Sequence, residues 1–274
     1  MNDKFVEIVP TRRFLKINFK EIYRFRELLY FFVWRDIIIR YKQTFMGIIW
    51  VVLQPVLTMV VFTVVFSRVS KSISTDIPYS LFVFSGLIPW MLFSQSLTRA
   101  SDSVVANAQI ISKVYFPRLL IPISASFSVL IDTLISLIIF LIIMVYFQFL
   151  PLLSIVLLPL FLILTLYASL GLSFFLSALN VMYRDVRYVV PFFISLGLFV
   201  TPVIYPAKMI PEKFSWILNL NPMTGIIEMM RFCIFPNYEF SIMSFMYSLL
   251  MCTAFFWGGL FFFNKYDKKF ADVI

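Results

Sequence analysis

Uncharged runs dominate this chain and set its layout. Gln43 to Ser67 and Ile77 to Thr98 carry no charge, and neither do Val189 to Ala207 and Phe240 to Asn264. Between Arg118 and Arg184 the only charged side chain is Asp132. The runs are continuously apolar rather than alternating, which suits helices in lipid and not the strands of a barrel. A helix crosses a bilayer with about 20 residues. The Arg118–Arg184 stretch is therefore long enough for two, with a turn marked by Gln148 and Pro151. The pattern predicts an all-α integral membrane protein with six spans, at roughly 46–66, 78–97, 119–148, 152–179, 188–204 and 241–263. Residues 1–45 form an N-terminal segment, 46–264 the transmembrane domain and 265–274 a tail.

The segments between the runs differ in character. In the N-terminal segment Lys20, Arg24 and Glu27 share one helical face, and Ile22, Phe25, Leu29 and Phe32 another. This predicts an amphipathic helix at the membrane interface. The segment lacks the short apolar core and small-residue site of a cleavable signal. The 99–118 loop opens on the capping residues Ser101 and Asp102 and continues into a short helical stretch ending before Pro117. Residues 205–239 are too apolar for a free loop, yet charges and prolines interrupt any span. They fit two short helices dipping into one leaflet, the second starting at Pro222 after Asn221, with Glu228 and Arg231 at i, i+3.

Composition agrees with this layout. Of the 274 residues 61% are hydrophobic and 14% charged, with a mean hydropathy of +0.94. A soluble fold has too little interior to hide that much apolar surface. The net charge is +9. With the N-terminus inside, eighteen of the 23 basic residues fall in inner segments and only Arg68, Lys71, Lys208, Lys213 and Arg231 outside. Both termini are therefore expected in the cytoplasm. The basic residues are spread over several loops, which argues against nucleic acid as a partner.

Candidate chemistry is sparse. There is no histidine, which removes His-based catalysis and His-ligated metal. Cys233 and Cys252 have no metal-ligand spacing. No phosphate-cradling G-x-x-x-x-G-K-[ST] loop is present, so the chain cannot bind ATP by that route. Asp132 is the one ionisable residue inside a predicted span; it is either a working group or a structural partner of a polar neighbour. Trp50, Gln54 and Thr58 fall at i, i+4, i+8 on the first span and should face protein or a cavity. Trp90 and Phe93 could oppose them from the second span, on a face shared with Gly86. Such a surface could contact sugar rings, or simply pack helices together. Arg35, Arg40 and Lys42 could hold the N-terminal helix against anionic headgroups.

Several strings together resemble a known family. RDIIIRYKQTFMGIIWVVLQPVLTMVVFTVVFS (Arg35–Ser67), GLIPWMLFSQSLTRAS (Gly86–Ser101) and KVYFPRLLIP (Lys113–Pro122) look like the membrane subunit of polysaccharide ABC exporters. YRDVRY (Tyr183–Tyr188), TPVIYP (Thr201–Pro206) and NLNPMTGIIEMMR (Asn219–Arg231) follow in the expected order. The resemblance is to the Wzm-type O-antigen permease, with capsule and teichoic-acid permeases as near relatives.

That resemblance implies a homodimer in the inner membrane of a bacterium, working with two copies of a separate Wzt-like ATPase. ATP and Mg would bind the partner, and no cofactor this chain. The cargo would be a polysaccharide on undecaprenyl diphosphate, and Arg35, Arg40 and Lys42 would be suitable charges to attract the carrier's diphosphate. The first, second and fifth spans would line the channel, and a coupling helix at 102–113 would dock on the ATPase, with Asp102, Val105, Asn107 and Lys113 as candidate contacts. The interface helix would occupy 25–42 and re-entrant helices 210–235. Two other readings stand beside this one. One is a drug or small-lipid exporter; the other is a membrane glycosyl or acyl transferase, which would need clustered carboxylates or histidines at one face.

Overall fold

The computed structural model describes residues 19–42, 47–66, 77–149, 153–267 and 270; among these there is no strand. The helices run in order α1 (Phe19–Arg24), α2 (Arg26–Lys42), α3 (Gly47–Phe66), α4 (Tyr79–Ala106), α5 (Ala108–Ile111), α6 (Leu120–Phe127), α7 (Leu130–Tyr146), α8 (Leu158–Met182), α9 (Val186–Val200), α10 (Ser215–Leu220), α11 (Pro222–Ile234) and α12 (Ile242–Tyr266). Among the described residues five segments are long and apolar enough to cross a membrane: Ile49–Phe66, Tyr79–Ala106, Leu120–Tyr146, Ser154–Met182 and Ile242–Tyr266.

The expected span at 188–204 is instead the 15-residue α9. At 1.5 Å per residue it covers about 22 Å, short of a hydrocarbon core of about 30 Å. Pro202 explains the early stop. The residue before a proline is pushed out of the helical region, and Thr201 is extended at φ −82°, ψ 139°. The second predicted span, by contrast, runs on to Ala106, because nothing after Pro89 breaks it. The third is bent at Ser128–Val129. There Ser124, Ser126 and Ser128 turn their hydroxyls back onto the carbonyls of Ile121, Pro122 and Ala125, a competition that bends helices. Helix α7 ends where Gln148 takes φ +52°, with Phe149 N donating to Met144 O at 3.0 Å. Pro151, the other expected turn residue, lies outside the described residues.

Helix α4 is the axis of the fold. Leu81, Phe82, Val83, Phe84 and Leu92 are fully buried on it. Helix α8 packs along it and along α12. At the α8–α12 crossing the backbones meet at two glycines. A Cβ on Gly171 would lie 2.5 Å from Phe256 N, and one on Gly259 would overlap the Gly171 carbonyl. Close approach through small residues is the usual way helices associate in lipid. Stacking of Tyr167 on Phe256, with centroids 4.5 Å apart, extends the contact.

Helices α10 and α11 are built into one end of the bundle. Asn221 caps α11, its Oδ1 accepting from Met223 N at 2.9 Å while its Nδ2 donates to Thr201 Oγ1 at 2.7 Å. Met223, Ile226, Ile227, Met230 and Ile234 are buried on α11. Arg231 is fully buried beside them. Its Nη1 donates to Pro202 O at 2.7 Å, its Nη2 to Val203 O at 2.6 Å and to Phe82 O at 3.3 Å, and the Phe82 ring lies 3.7 Å from its Cζ. Gly86 leaves the space: a Cβ there would be 2.6 Å from Arg231 Nη2.

The glycine crossing is testable. Gly259→Ala should lower thermal stability by about 1–3 kcal/mol or more through overpacking. Gly258→Ala, whose Cβ would meet nothing within 4 Å, should be neutral or slightly stabilising. Thermal unfolding of both variants in detergent checks this, and equal effects would contradict the crossing.

Candidate functional site: an arginine-lined cavity

At the end of the bundle opposite α11, helix α2 lies across the mouths of the long helices. It does not rest its apolar face on lipid, as an isolated amphipathic helix would. Phe32 is buried against Phe116, with centroids 5.5 Å apart. Ile22, Phe25, Leu28 and Leu29 pack with it onto a cluster that includes Leu120, Phe174 and Phe263. The outward face carries aromatic residues instead: Tyr23, Tyr30, Phe31 and Trp34 are exposed, with Tyr30 and Trp34 stacked at 6.4 Å. Rings of this kind suit the headgroup level of a bilayer.

Docking α2 this way brings its last two turns over the α4–α7 seam. Asp132, 5% exposed, is the meeting point. Its Oδ2 accepts from Arg40 Nη1 and, at 3.4 Å, from Arg99 Nη2, while its Oδ1 accepts from the Tyr41 hydroxyl. Three helices are thus tied through one carboxylate. Burial, and then the carboxylate it donates to, push the Tyr41 hydroxyl up to about 12, so Tyr41 stays a donor at physiological pH. Of the two roles open to Asp132, the geometry shows the structural one, with both carboxylate oxygens accepting from polar neighbours.

Beside this cluster an open cavity of about 800 Å³ lies between α2, α4, α5 and α6. Arg35, Arg40 and Arg99 line it, with Asp36, Asp102, Asn107 and Ser128. Arg35 pairs with Asp36 at 2.8 Å and sits over the Phe32 ring at 5.0 Å. A narrower polar cleft lined by Gln54, Gln95, Asp132, Thr133 and Ser136 leads on between α3, α4 and α7. Guanidinium groups on a concave surface bind phosphate oxygens well. Among the described residues no group of three His, Cys, Asp or Glu is placed to hold a metal.

Several candidate residues sit differently from the sequence expectation. Arg35 and Arg40 line the cavity, whereas Lys42 ends α2 on its exposed side. Ser101 and Asp102 do not cap a new helix, because α4 runs straight through them. The Asp102 carboxylate is engaged by Asn180 Nδ2 at 3.0 Å instead of by backbone amides. The break falls at Asn107, whose Nδ2 holds Ser103 O at 2.8 Å. The stretch 102–113 is therefore the last turns of α4, with half-buried Val105, followed by the four-residue α5 and exposed Lys113.

The aromatic pairing across α3 and α4 does not occur within one chain. Val51, Pro55 and Met59 form the buried stripe of α3; Trp50, at 58% exposure, and Gln54 are on the surface, and Thr58 is half-buried. Helix α3 meets α4 near Ile88, Met91 and Gln95. Trp90 and Phe93 point the other way, into an apolar groove of about 780 Å³ beside α9. A Cβ on Gly197 of α9 would be 2.8 Å from the Trp90 ring. The sequence reading missed Arg99. A solitary arginine at the end of one span and a solitary aspartate in the next were the available signal.

Similarity to known proteins assigns the chain to a family. The family described as ABC-2 type transporter matches residues 27–235, and the chain belongs to it. It is 32% identical over 265 residues to an O-antigen export system permease protein RfbA of Klebsiella pneumoniae, covering 95% of this chain and 99% of that one. An RfbA of Myxococcus xanthus is 30% identical, covering 93% and 98%. The polysialic acid transport protein KpsM of Escherichia coli is 24% identical, covering 74% and 80%.

The carboxylate junction makes a prediction. Arg40→Gln should loosen α2 and cost about 1–3 kcal/mol, the range for leaving a buried polar group poorly satisfied. Thermal unfolding together with limited proteolysis near α2 measures it; unchanged stability and protection would contradict the junction.

Proposed function

We propose that this chain is the transmembrane subunit of an ATP-driven polysaccharide exporter, with O antigen as cargo. The observation that carries the reading is end-to-end similarity at about 30% identity to O-antigen export permeases. The similarity to a polysialic acid transporter is weaker and covers less of the chain, which ranks capsule polymer below O antigen. The relatives are named as transport proteins, and the chain is a permease and not an enzyme. An ABC-2 permease relies on an ATP-binding partner.

The finer parts of the reading rest on physical features. The chain lies in the inner membrane of a bacterium with both termini cytoplasmic, as the basic-residue distribution favours. It works as a homodimer with two Wzt-like subunits. The exposed apolar faces of α3 and α9, including Leu53, Leu57, Phe192, Phe193 and Phe199, suit a second copy or lipid. With α9 too short to span alone, six crossings per chain require residues 201–204 to complete the path.

The arginine cavity opens beside α5 and α2, where the carrier's diphosphate would arrive at the cytoplasmic face. Arg35, Arg40 and Arg99 then guide the diphosphate by charge and hydrogen bonding. The end of α4 and α5 lie against the same cavity, so partner movement at Asp102–Lys113 would reach the arginines directly. Rigid-body shifts of packed helices are the usual means of such coupling.

Val105→Pro tests the coupling segment. It removes a helical backbone donor, at about 3 kcal/mol or more, in the last turn of α4, where Val105 is half-buried at the edge of the Phe32 cluster. Expected are normal membrane insertion, loss of partner ATPase stimulation and loss of surface polysaccharide in a complemented deletion strain. Continued export would overturn the coupling role, and a deletion strain with normal surface polysaccharide would overturn the cargo.

A further inference from the structure

The apolar groove of about 780 Å³ beside α9 has no part in the arginine cavity. Its walls include Trp90 of α4, Leu176 of α8, Phe255 of α12 and Val190, Phe193 and Ile194 of α9. Apart from the Trp90 indole, polar side chains line it only at its two ends: Asp185 at one, Thr201 and Asn221 at the other. Such a space does not hold ordered water, which needs about two to four polar partners. Left empty, it would forfeit contact along every wall. The two ends differ. At the α11 end Asn221 Nδ2 is spent on Thr201 Oγ1 at 2.7 Å, and Asn221 Oδ1 on Met223 N at 2.9 Å. The other end lies where Asn180 of α8 meets Asp102 of α4. There the turn between α8 and α9 exposes Arg184 and Arg187. Among the described residues neither guanidinium has a hydrogen bond or an ion pair; Arg187 has the Tyr188 ring, 5.5 Å from its Cζ. Asp185 is exposed between them, so the turn keeps one positive charge in excess. Arg187 precedes the groove residues Val190 and Ile194 by three and seven positions, which sets it on the rim of the same helical face.

We propose that this groove is a binding site for one anionic phospholipid, with its phosphate at Arg184 and Arg187 and an acyl chain laid along α9 toward Thr201. The site goes beyond the export reading and does not depend on the cargo. The direction of the lipid follows from the ends, because only the arginine end offers unspent donors. The apolar walls accept any acyl chain, and the excess charge at the rim selects the lipid that carries net negative charge. Depth also fits. Helix α9 runs about 22 Å at 1.5 Å per residue. One leaflet supplies about 15 Å of hydrocarbon, half of a core of about 30 Å, so a chain is housed over its whole length.

The lipid gives α9 a support that the protein leaves out. Helix α9 meets α4 closely at Gly197, where a Cβ would be 2.8 Å from the Trp90 ring. Toward Leu176 of α8 and Phe255 of α12 it faces the groove. An acyl chain there braces α9 against both helices. Being deformable, it also lets α9 shift without opening a void, which a packed protein interface resists. The position of α9 thereby becomes sensitive to the anionic lipid content of the membrane.

The test reads the groove through Trp90, which is 6% exposed and lines it. Full-length permease with Trp34→Phe, Trp50→Phe, Trp216→Phe and Trp257→Phe keeps Trp90 as its one tryptophan. It is placed in phosphatidylcholine nanodiscs containing increasing fractions of phosphatidylglycerol, or of phosphatidylcholine, brominated on the acyl chains. Trp90 emission should be quenched, with the half-effect at a several-fold lower fraction of brominated phosphatidylglycerol. Arg184→Gln combined with Arg187→Gln should abolish that preference while quenching by either lipid persists. Emission unquenched by both lipids overturns the site and leaves the groove to a second copy of the chain. Equal half-effects for the two lipids, or a preference that survives the double arginine change, overturn the headgroup assignment. Recovery of emission on adding farnesyl diphosphate equimolar with brominated phosphatidylglycerol overturns the phospholipid in favour of a prenyl carrier. If the sole-tryptophan variant fails to assemble, native mass spectrometry of the unmodified permease decides. From an equal mixture of the two lipids it should retain phosphatidylglycerol, and the double arginine variant should lose it. Retention without selectivity, or unchanged in that variant, overturns the proposal.

Discussion

A charge inside a fold solvated by lipid must carry its own solvent, and Arg231 does so with backbone. No water reaches its side chain. Its Nη1 and Nη2 donate to the carbonyls of Pro202, Val203 and Phe82, the Phe82 ring closes one face, and Nε alone has no partner. Those carbonyls belong to the exit of α9 and to α4, so one side chain on α11 fixes three elements. The same contact answers a difficulty created by Pro202, which stops α9 and leaves the following carbonyls without helical donors. Burying a guanidinium is costly unless its donors are met. Here the carbonyls freed by Pro202 and the two terminal nitrogens of Arg231 offset much of each other's cost. Glu228 completes the arrangement, accepting from Tyr238 at 2.7 Å and lying 3.9 Å from Arg231.

The other end of the bundle meets the same constraint with less economy. Asp132 is satisfied by side chains from α2 and α4, and the arginines that satisfy it remain partly open to a cavity. The difference between the two ends is functional in character. Carbonyls cannot be exchanged for a ligand without unwinding backbone, so Arg231 is a fixed joint. A carboxylate held by side chains can be regrouped without unwinding backbone, so the Asp132 junction is an adjustable joint. A transporter needs both kinds of contact, one to keep helices in register and one to let cargo go.

Much of this was legible in the sequence because lipid simplifies the code. Charge-free runs located the long helices, and Asn221–Pro222 marked the start of α11. Elements that depend on tertiary partners were not legible. Nothing local to 99–118 shows that Asn180, on α8, engages Asp102 and lets α4 continue to Ala106. Periodicity alone could not choose between Trp50, Gln54, Thr58 and the adjacent stripe Val51, Pro55, Met59, because both lie in an apolar helix. Amphipathicity correctly marked the Phe32 face of α2 as apolar but could not say that protein, and not lipid, would cover it. The short α9 was legible in principle, since Thr201–Pro202 is a stop, but the uncharged run through Ala207 hid it. The family strings carried the functional reading where composition could not, because an apolar bundle without histidine or a nucleotide loop is compatible with many cargoes.

The proposed activity is ATP-driven movement of a lipid-linked polysaccharide through this permease. The direct measurement uses sealed proteoliposomes containing the permease and its ATPase partner, with the nucleotide sites facing outward and lipid-linked O antigen supplied outside. The fraction of glycan protected from added glycosidase is followed over time. The account predicts protection that grows with ATP and is absent with a non-hydrolysable analogue or without either subunit. Glycan that stays fully accessible while ATP is hydrolysed would contradict it.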